Sequence, residues 1–259
     1  MAPRRVVVTG ASGGIGRVIA AAFTSQGATV VNLDLQPDDA ARALCGHGLR
    51  TIRTDLGDPA AIEAAFTAVD GLFAGEAPEL LVCCAAFSAA NHFLDVPAVE
   101  IDRMFAVNVR GTFLACQAAA RRMKAAGCGR IVVITSVAAE QAWAGEMVYC
   151  ATKAAQRSLV QGMAIELAPF GILVKAVSPG IVEHRSAGMA RTRDDPEARR
   201  HDLGRTPMGR FNSPQEVAAV GRFLAQAEGI TGQTLRVDNG FRAAGLACFG
   251  EARQRPVGS

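Results

Sequence analysis

Tyr149 is the only tyrosine in the chain, and Lys153 follows it four residues later. The residues from Cys150 to Leu167 contain no proline and favour helix. At i,i+4 the phenol and the ammonium then share one helix face. A free phenol has a pKa of about 10 and is a poor base at neutral pH. A lysine charge one turn away is expected to favour the phenolate and lower that pKa, giving a proton donor or acceptor nearer to working pH. Ser136 ends an apolar run, Arg130–Thr135, that reads as a buried strand. A hydroxyl in that position faces the crevice where open α/β sheets bind ligands. Together these residues suit proton transfer to or from a substrate oxygen. Singly, each also fits a plain role: Tyr-x-x-x-Lys occurs by chance in helices, serines cap strand ends, and lysines lie on surfaces.

The elements that must position them alternate along the chain. Apolar runs at Arg4–Thr9, Ala28–Leu33, Leu49–Thr54, Leu80–Cys84, Arg130–Thr135, Ile172–Ser178 and Thr234–Asp238 read as strands. Between them, Gly14–Gln26, Pro59–Phe73, Val99–Ala126, the Tyr149 segment and Pro214–Ala227 read as helices, with Asp58 as an N-cap before Pro59 at N1. This alternation predicts an α/β fold: a doubly wound parallel sheet with helices on both faces and right-handed crossovers. No linker, repeat or low-complexity break divides residues 1–259, so one domain is expected. The segment from 242 to 259 reads as loosely ordered.

A glycine-rich turn, Gly10-Ala11-Ser12-Gly13-Gly14-Ile15-Gly16, joins the first strand to the first helix. Glycines there permit a tight turn and a close backbone approach to a pyrophosphate. The helix N-terminus offers free N–H groups and a positive dipole end. Asp34 ends the second strand, 18 residues beyond Gly16, where a carboxylate can accept from a ribose diol and repel a 2′-phosphate. Leu35 follows it, not an arginine that would welcome that phosphate. The pattern therefore points to NAD, with NADP less favoured. Asp55 ends the third strand similarly and is placed near the adenine.

Composition narrows the function classes. A net charge of +3 is too small and diffuse to argue for nucleic acid. No apolar run approaches the ~20 residues of a membrane span, and no leader pattern is visible, so a cytoplasmic protein is expected. The seven cysteines form no Cys-x-x-Cys pair, and His47, His92, His184 and His201 show no metal spacing. No metal site is expected. Cys83 and Cys84 should point to opposite faces of their strand as small buried hydrophobes.

With these residues assembled, the chain resembles the short-chain dehydrogenase/reductase family over about residues 4–241. The resemblance is carried by Thr9-Gly10 through Gly16, Asp55-Leu56, Asn108 in Val107-Asn-Val-Arg-Gly111, Ser136, Tyr149-x-x-x-Lys153, Pro179-Gly180, Gly209-Arg-Phe and Gly232 through Asp238. It implies a Rossmann-type sheet of seven strands and an Asn-Ser-Tyr-Lys active site. Tyr149 would be the general acid/base, Ser136 would stabilise the substrate oxygen, Lys153 would lower the phenol's pKa and hold the nicotinamide ribose, and Asn108 would help anchor a water in a proton relay. The cofactor would also meet Ser12, Gly13, Gly14, Ile15, Asp34, Leu35, Cys84, Ala85, Ala86 and Val182. The resemblance implies hydride transfer between NAD(H) and a secondary alcohol or ketone, and a homotetramer or homodimer. A non-catalytic dinucleotide sensor or scaffold of the same fold is the alternative.

Three departures stand out. The family's Asn-Asn-Ala-Gly is here Cys83-Cys84-Ala85-Ala86, His184 replaces a common threonine, and the late Asp-Gly-Gly is Asp238-Asn239-Gly240. Specificity is expected from Ser88–Leu94, Ala138–Met147 and a lid over 181–209, with Trp143 and Met147 as apolar walls. The lid's arginines, Arg185, Arg191, Arg193, Arg199, Arg200 and Arg205, read either as a solvated face or as a clamp for an anionic group.

Overall fold

A computed structural model describes residues 2–35, 39–183 and 194–245. The strands are β1 (Arg5–Thr9), β2 (Thr29–Asp34), β3 (Leu49–Arg53), β4 (Leu80–Cys83), β5 (Gly129–Ile134), β6 (Ile172–Pro179) and β7 (Thr234–Val237). All seven form one sheet in the order β3-β2-β1-β4-β5-β6-β7, and every pairing is parallel. Chain order reverses between β1 and β4, which pair through Thr9 and Cys83. A crevice opens beyond the strand ends at such a reversal.

The helices are α1 (Gly14–Thr24), α2 (Asp39–Cys45), α3 (Pro59–Leu72), α4 (Ala98–Met104), α5 (Thr112–Ala126), α6 (Met147–Leu167), α7 (Pro196–Gly204) and α8 (Pro214–Gln226). Side chains alternate along the strands, so each strand feeds two cores. Val7, Val31, Leu81, Ile131 and Val174 pack with Phe66 of α3, Met123 of α5 and Val160 of α6. Val6, Val8, Val30 and Val132 pack on the opposite face with Ile19 and Phe23 of α1 and Leu224 of α8. The doubly wound sheet expected from the sequence is present. Cys83 and Cys84 do point to opposite cores.

Caps set the ends of several helices. Asp58 accepts from the Ala60 N–H at 2.9 Å, ahead of Pro59. Ser213 and Glu216 close a reciprocal capping box on α8. Lys175 of β6 is fully buried, and its ammonium donates to the carbonyls of Leu224, at 2.6 Å, and Ala227 at the end of α8. Burial lowers its pKa to about 8.

Three segments differ from the sequence expectation, the first being α2 (Asp39–Cys45), for which no helix was expected between β2 and β3. The single helix expected over Val99–Ala126 is interrupted: α4 gives way to a π-helical segment, Phe105–Gly111, before α5 resumes. Leu56 forces a close approach here, since a Cβ on Gly111 would lie 2.3 Å from the Leu56 carbonyl oxygen. The polar stretch before residue 209 contains α7, nucleated by Asp195, which accepts from the N–H groups of Glu197 and Ala198 ahead of Pro196. A polar helix has little hydrophobic periodicity, which is why the sequence pattern did not point to it. His184, Arg185, Arg191 and Arg193 lie outside the described residues.

Candidate active site

A cavity of about 1250 Å³ opens where the strand order reverses. Its floor is the glycine-rich turn. Gly10 has φ +76°, and a Cβ there would lie 2.7 Å from the backbone of Ala85. A Cβ on Gly16 would lie 2.2 Å from the Gly10 carbonyl oxygen. Glycine is therefore required at both positions by close backbone contact. Gly13 precedes α1 and supplies no side-chain cap, and Gly14, Ile15 and Gly16 at the helix N-terminus line the crevice.

Two residues of β2 hold this turn. Asn32 is fully buried; its Oδ1 accepts from Ala11 N–H at 2.8 Å and its Nδ2 donates to Ser12 Oγ at 3.2 Å. Asp34 Oδ2 accepts from Ser12 N–H at 3.0 Å. Asn32 was missed in the sequence reading. Its signal was a lone amide inside the apolar run Val30-Val31-Asn32-Leu33. Opposite, Thr9 Oγ1 accepts from Cys84 N–H at 3.1 Å and Ala85 N–H at 3.2 Å, fixing the end of β4 without the amide side chains expected there. Cys83 instead packs inward, its Sγ 3.6 Å from that of Cys116.

All the residues proposed from sequence to meet a cofactor line this crevice, from Gly10 through Gly16 to Asp34, Leu35, Asp55, Leu56, Cys84, Ala85, Ala86, Pro179, Gly180 and Val182, with Ser136, Tyr149 and Lys153. Ala11 of the turn, not proposed as a cofactor contact, is buried beneath. Asp55 is engaged with its own loop, its Oδ1 accepting from Gly57 N–H at 2.8 Å and its Oδ2 lying 3.9 Å from Arg103 Nη2. Tight glycines, an uncapped helix N-terminus and an acid at the end of β2 are chemically suited to a pyrophosphate and a ribose. The residues present fit a nicotinamide dinucleotide.

The catalytic candidates meet on the opposite wall. Ser136 follows β5 and caps a short 3₁₀ turn, its Oγ accepting from Ala138 N–H at 3.1 Å. Tyr149 and Lys153 share a face of α6, with the Lys153 Nζ 5.6 Å from the centre of the phenol ring. Lys153 is buried, and its ammonium donates to the Ile134 carbonyl at 3.0 Å and to Gln156 Oε1 at 2.9 Å. Burial lowers its pKa to about 8, against a smaller opposing effect of Cys84 and Cys83.

The expected lowering of the phenol's pKa is not seen. The Tyr149 pKa is raised, first by burial and then by the Glu146 carboxylate, with hydrogen bonding to Ser136 opposing the shift. Desolvation disfavours the charged phenolate and is the largest cause of the shift.

Asn108 lies in the π-helical segment, wholly buried. Its Oδ1 accepts from Phe87 N–H at 2.8 Å, and both Nδ2 hydrogens go to protein acceptors, Phe87 O at 2.8 Å and Thr152 Oγ1 at 3.0 Å. Through these bonds the Asn108 side chain clasps the loop after β4 to α6. The far end of the crevice is lined by Gln141, Trp143, His201, Asp202, Arg205 and Phe241. Trp143 packs on Phe241 at 5.9 Å, and the Arg205 guanidinium lies 4.9 Å from the same ring. Met147 is not among the lining residues, and Phe241, beyond the expected specificity segments, is.

Comparison with known proteins agrees with this geometry. A family model described as Enoyl-(Acyl carrier protein) reductase matches residues 10–242. The chain belongs to the short-chain dehydrogenase/reductase family, whose members are oxidoreductases that use nicotinamide dinucleotides. It is 38% identical to L-xylulose reductase of Mesocricetus auratus over 93% of this chain and 97% of that protein. It is 33% identical to NAD-dependent glycerol dehydrogenase of Listeria innocua over 91% of this chain and 92% of that protein. A solved structure from Agrobacterium tumefaciens with bound NADP superposes with a TM-score of 0.84 at 28% identity, covering 92% of this chain and 96% of that one. No described helix is long and apolar enough to cross a membrane.

Proposed function

We propose that this protein is a carbonyl reductase and secondary-alcohol dehydrogenase for small polyols and ketoses, with Tyr149 as its proton donor. The observation that carries the reading is the convergence of Ser136, Tyr149 and Lys153 on one crevice wall, facing the glycine-rich turn. The dinucleotide, when bound, supplies the hydride that a carbonyl carbon accepts. Tyr149 gives its phenolic proton to the carbonyl oxygen, and Ser136 donates a hydrogen bond to the same oxygen as charge develops there. Lys153 holds a positive charge one helical turn from the phenol, which favours the phenolate left after proton transfer. In the oxidative direction the same groups act in reverse. The relatives named for L-xylulose and glycerol support a polyhydroxylated substrate, as do the mixed polar and aromatic groups at the far end of the crevice.

For the cofactor, NAD is preferred. Asp34 at the end of β2 lines the crevice and is tied to Ser12, where a 2′-phosphate would meet a carboxylate. A second copy of the chain completes the quaternary structure: Ile101, Phe105 and Phe113 repeat at multiples of four and are exposed along α4, the π-helical segment and α5. That apolar stripe suits a dimer or tetramer interface. A spectrophotometric screen of ketoses, polyols and secondary alcohols with NADH or NAD is the test. Turnover of polyols or ketoses is expected. Tight NADH binding with no turnover across the screen would favour a sensor instead.

A further inference from the structure

Gln156 is fully enclosed, yet it is an amide on the buried face of α6, one turn beyond Lys153. Its Oε1 accepts from Lys153 Nζ at 2.9 Å. Its Nε2 donates to the Asn108 carbonyl at 2.7 Å and to Thr112 Oγ1 at 2.9 Å. The partners fix the orientation of the amide: an ammonium can only donate, and a carbonyl can only accept. A buried polar group costs free energy unless it is hydrogen-bonded, and this amide is satisfied by three partners, which fixes their relative positions. Asn108 belongs to the π-helical segment, Phe105–Gly111. The irregular turn, the amide and the ammonium therefore form one continuous chain, Asn108–Gln156–Lys153.

We propose that Gln156 is a positioning residue for the reaction: its amide anchors the Lys153 ammonium to the π-helical turn. With Ile134 O and Gln156 Oε1 each taking one N–H, Lys153 keeps one N–H for the crevice and the Tyr149 side. The clamp also holds the ammonium in its charged form, because a hydrogen bond to the charged state favours it. Without it, the lysine would face only the Ile134 carbonyl, the Tyr149 phenol and the thiols of Cys83 and Cys84. Both thiols have raised pKa values, that of Cys84 at about 12, and their effect on the lysine is smaller than that of burial. Its activity arm rests on the carbonyl-reductase reading; its titration arm does not.

The chain has only three lysines, Lys124, Lys153 and Lys175. NMR of ¹³Cε-labelled lysine therefore resolves each ammonium, with Lys153→Arg assigning the signal. Gln156→Leu removes the acceptor and is expected to lower the Lys153 titration midpoint by roughly one unit. Gln156→Glu places a carboxylate at the same site and is expected to raise it. The alkaline limb of the pH profile for carbonyl reduction should move in the same opposite directions, and Gln156→Leu should lower kcat by roughly 10-fold or more. Should Gln156→Leu fail to fold, the shift in Gln156→Glu still decides the matter. An unchanged Lys153 midpoint in either folded variant overturns the proposal. So does a pH limb that stays in place while kcat falls, which would mark Gln156 as structural only. If the wild-type protein reduces no carbonyl compound, the functional reading fails, and the titration still judges the clamp alone.

Discussion

Replacing Asp34 with alanine should abolish discrimination between the two dinucleotides. The half-buried carboxylate lines the crevice and accepts from Ser12 N–H at 3.0 Å. Hydrogen bonds from a ribose diol to a charged acceptor contribute about 1.5–3 kcal/mol. A 2′-phosphate of charge near −2 at about 5 Å from the carboxylate costs about 1.7 kcal/mol even at a water-like dielectric, and more where water is excluded. Together these give about 3–5 kcal/mol in favour of NADH, on the order of 100-fold or more. Asp34→Ala also strips Ser12 N–H of its acceptor, but that loss burdens both cofactors and cancels in their ratio. The assay is fluorescence titration of NADH and NADPH against both proteins at one ionic strength, since salt screens the repulsion. The wild type should bind NADH at least tenfold more tightly, and the variant should bind the two within a few-fold. A wild type that prefers NADPH, or a ratio that Asp34→Ala leaves unmoved, would refute the role given to Asp34.

Other expectations follow from the same geometry. Lys153 has a pKa lowered to about 8 by burial, so its ammonium is lost as pH rises through that value; kcat/KM for carbonyl reduction should fall above about pH 8 and level off below it, read from initial rates with NADH. Gly16→Ala places a methyl 2.2 Å from the Gly10 carbonyl; overpacking of this kind costs about 1–3 kcal/mol, so thermal denaturation should show a Tm lower by roughly 2–12 °C, with NADH affinity down at least tenfold. An unchanged Tm with normal NADH binding would mean the turn is looser than its contacts indicate. Ser136→Ala should lower kcat by roughly 100-fold, as loss of one donor to a developing oxyanion does, with little change in cofactor affinity.

The sheet was legible in the sequence because its strands are apolar runs of strand length separated by helices of ordinary length. The crevice was legible for the same reason: Gly10 through Gly16, Asp34 and Pro179-Gly180 all fall at strand ends, and strand ends define it. What stayed hidden were three-dimensional pairings between distant residues. Nothing in Val107-Asn108-Val109 announces a π-helical turn, nor the close approach of Leu56 to Gly111 that leaves no room for a Cβ there. Asn108 keeps its place in the family pattern yet spends its side chain on Phe87 and Thr152. The i,i+4 spacing placed Tyr149 and Lys153 on one helix face but did not show the burial that raises the phenol's pKa. Spacing does not reveal that the lysine is buried, nor that Ile134 and Gln156 take its hydrogen bonds. Gln156 was read as one more helix former, and only its burial shows otherwise.

The most direct trial of the central idea is turnover by Tyr149→Phe. The substitution removes one oxygen from the chain's sole tyrosine and leaves the ring that packs beside Lys153. Steady-state reduction of a ketose that the wild-type protein accepts should fall by roughly 100- to 10,000-fold, the usual contribution of a positioned acid, while NADH titrates as before. A variant that turns over that ketose at the wild-type rate would show that the proton comes from elsewhere.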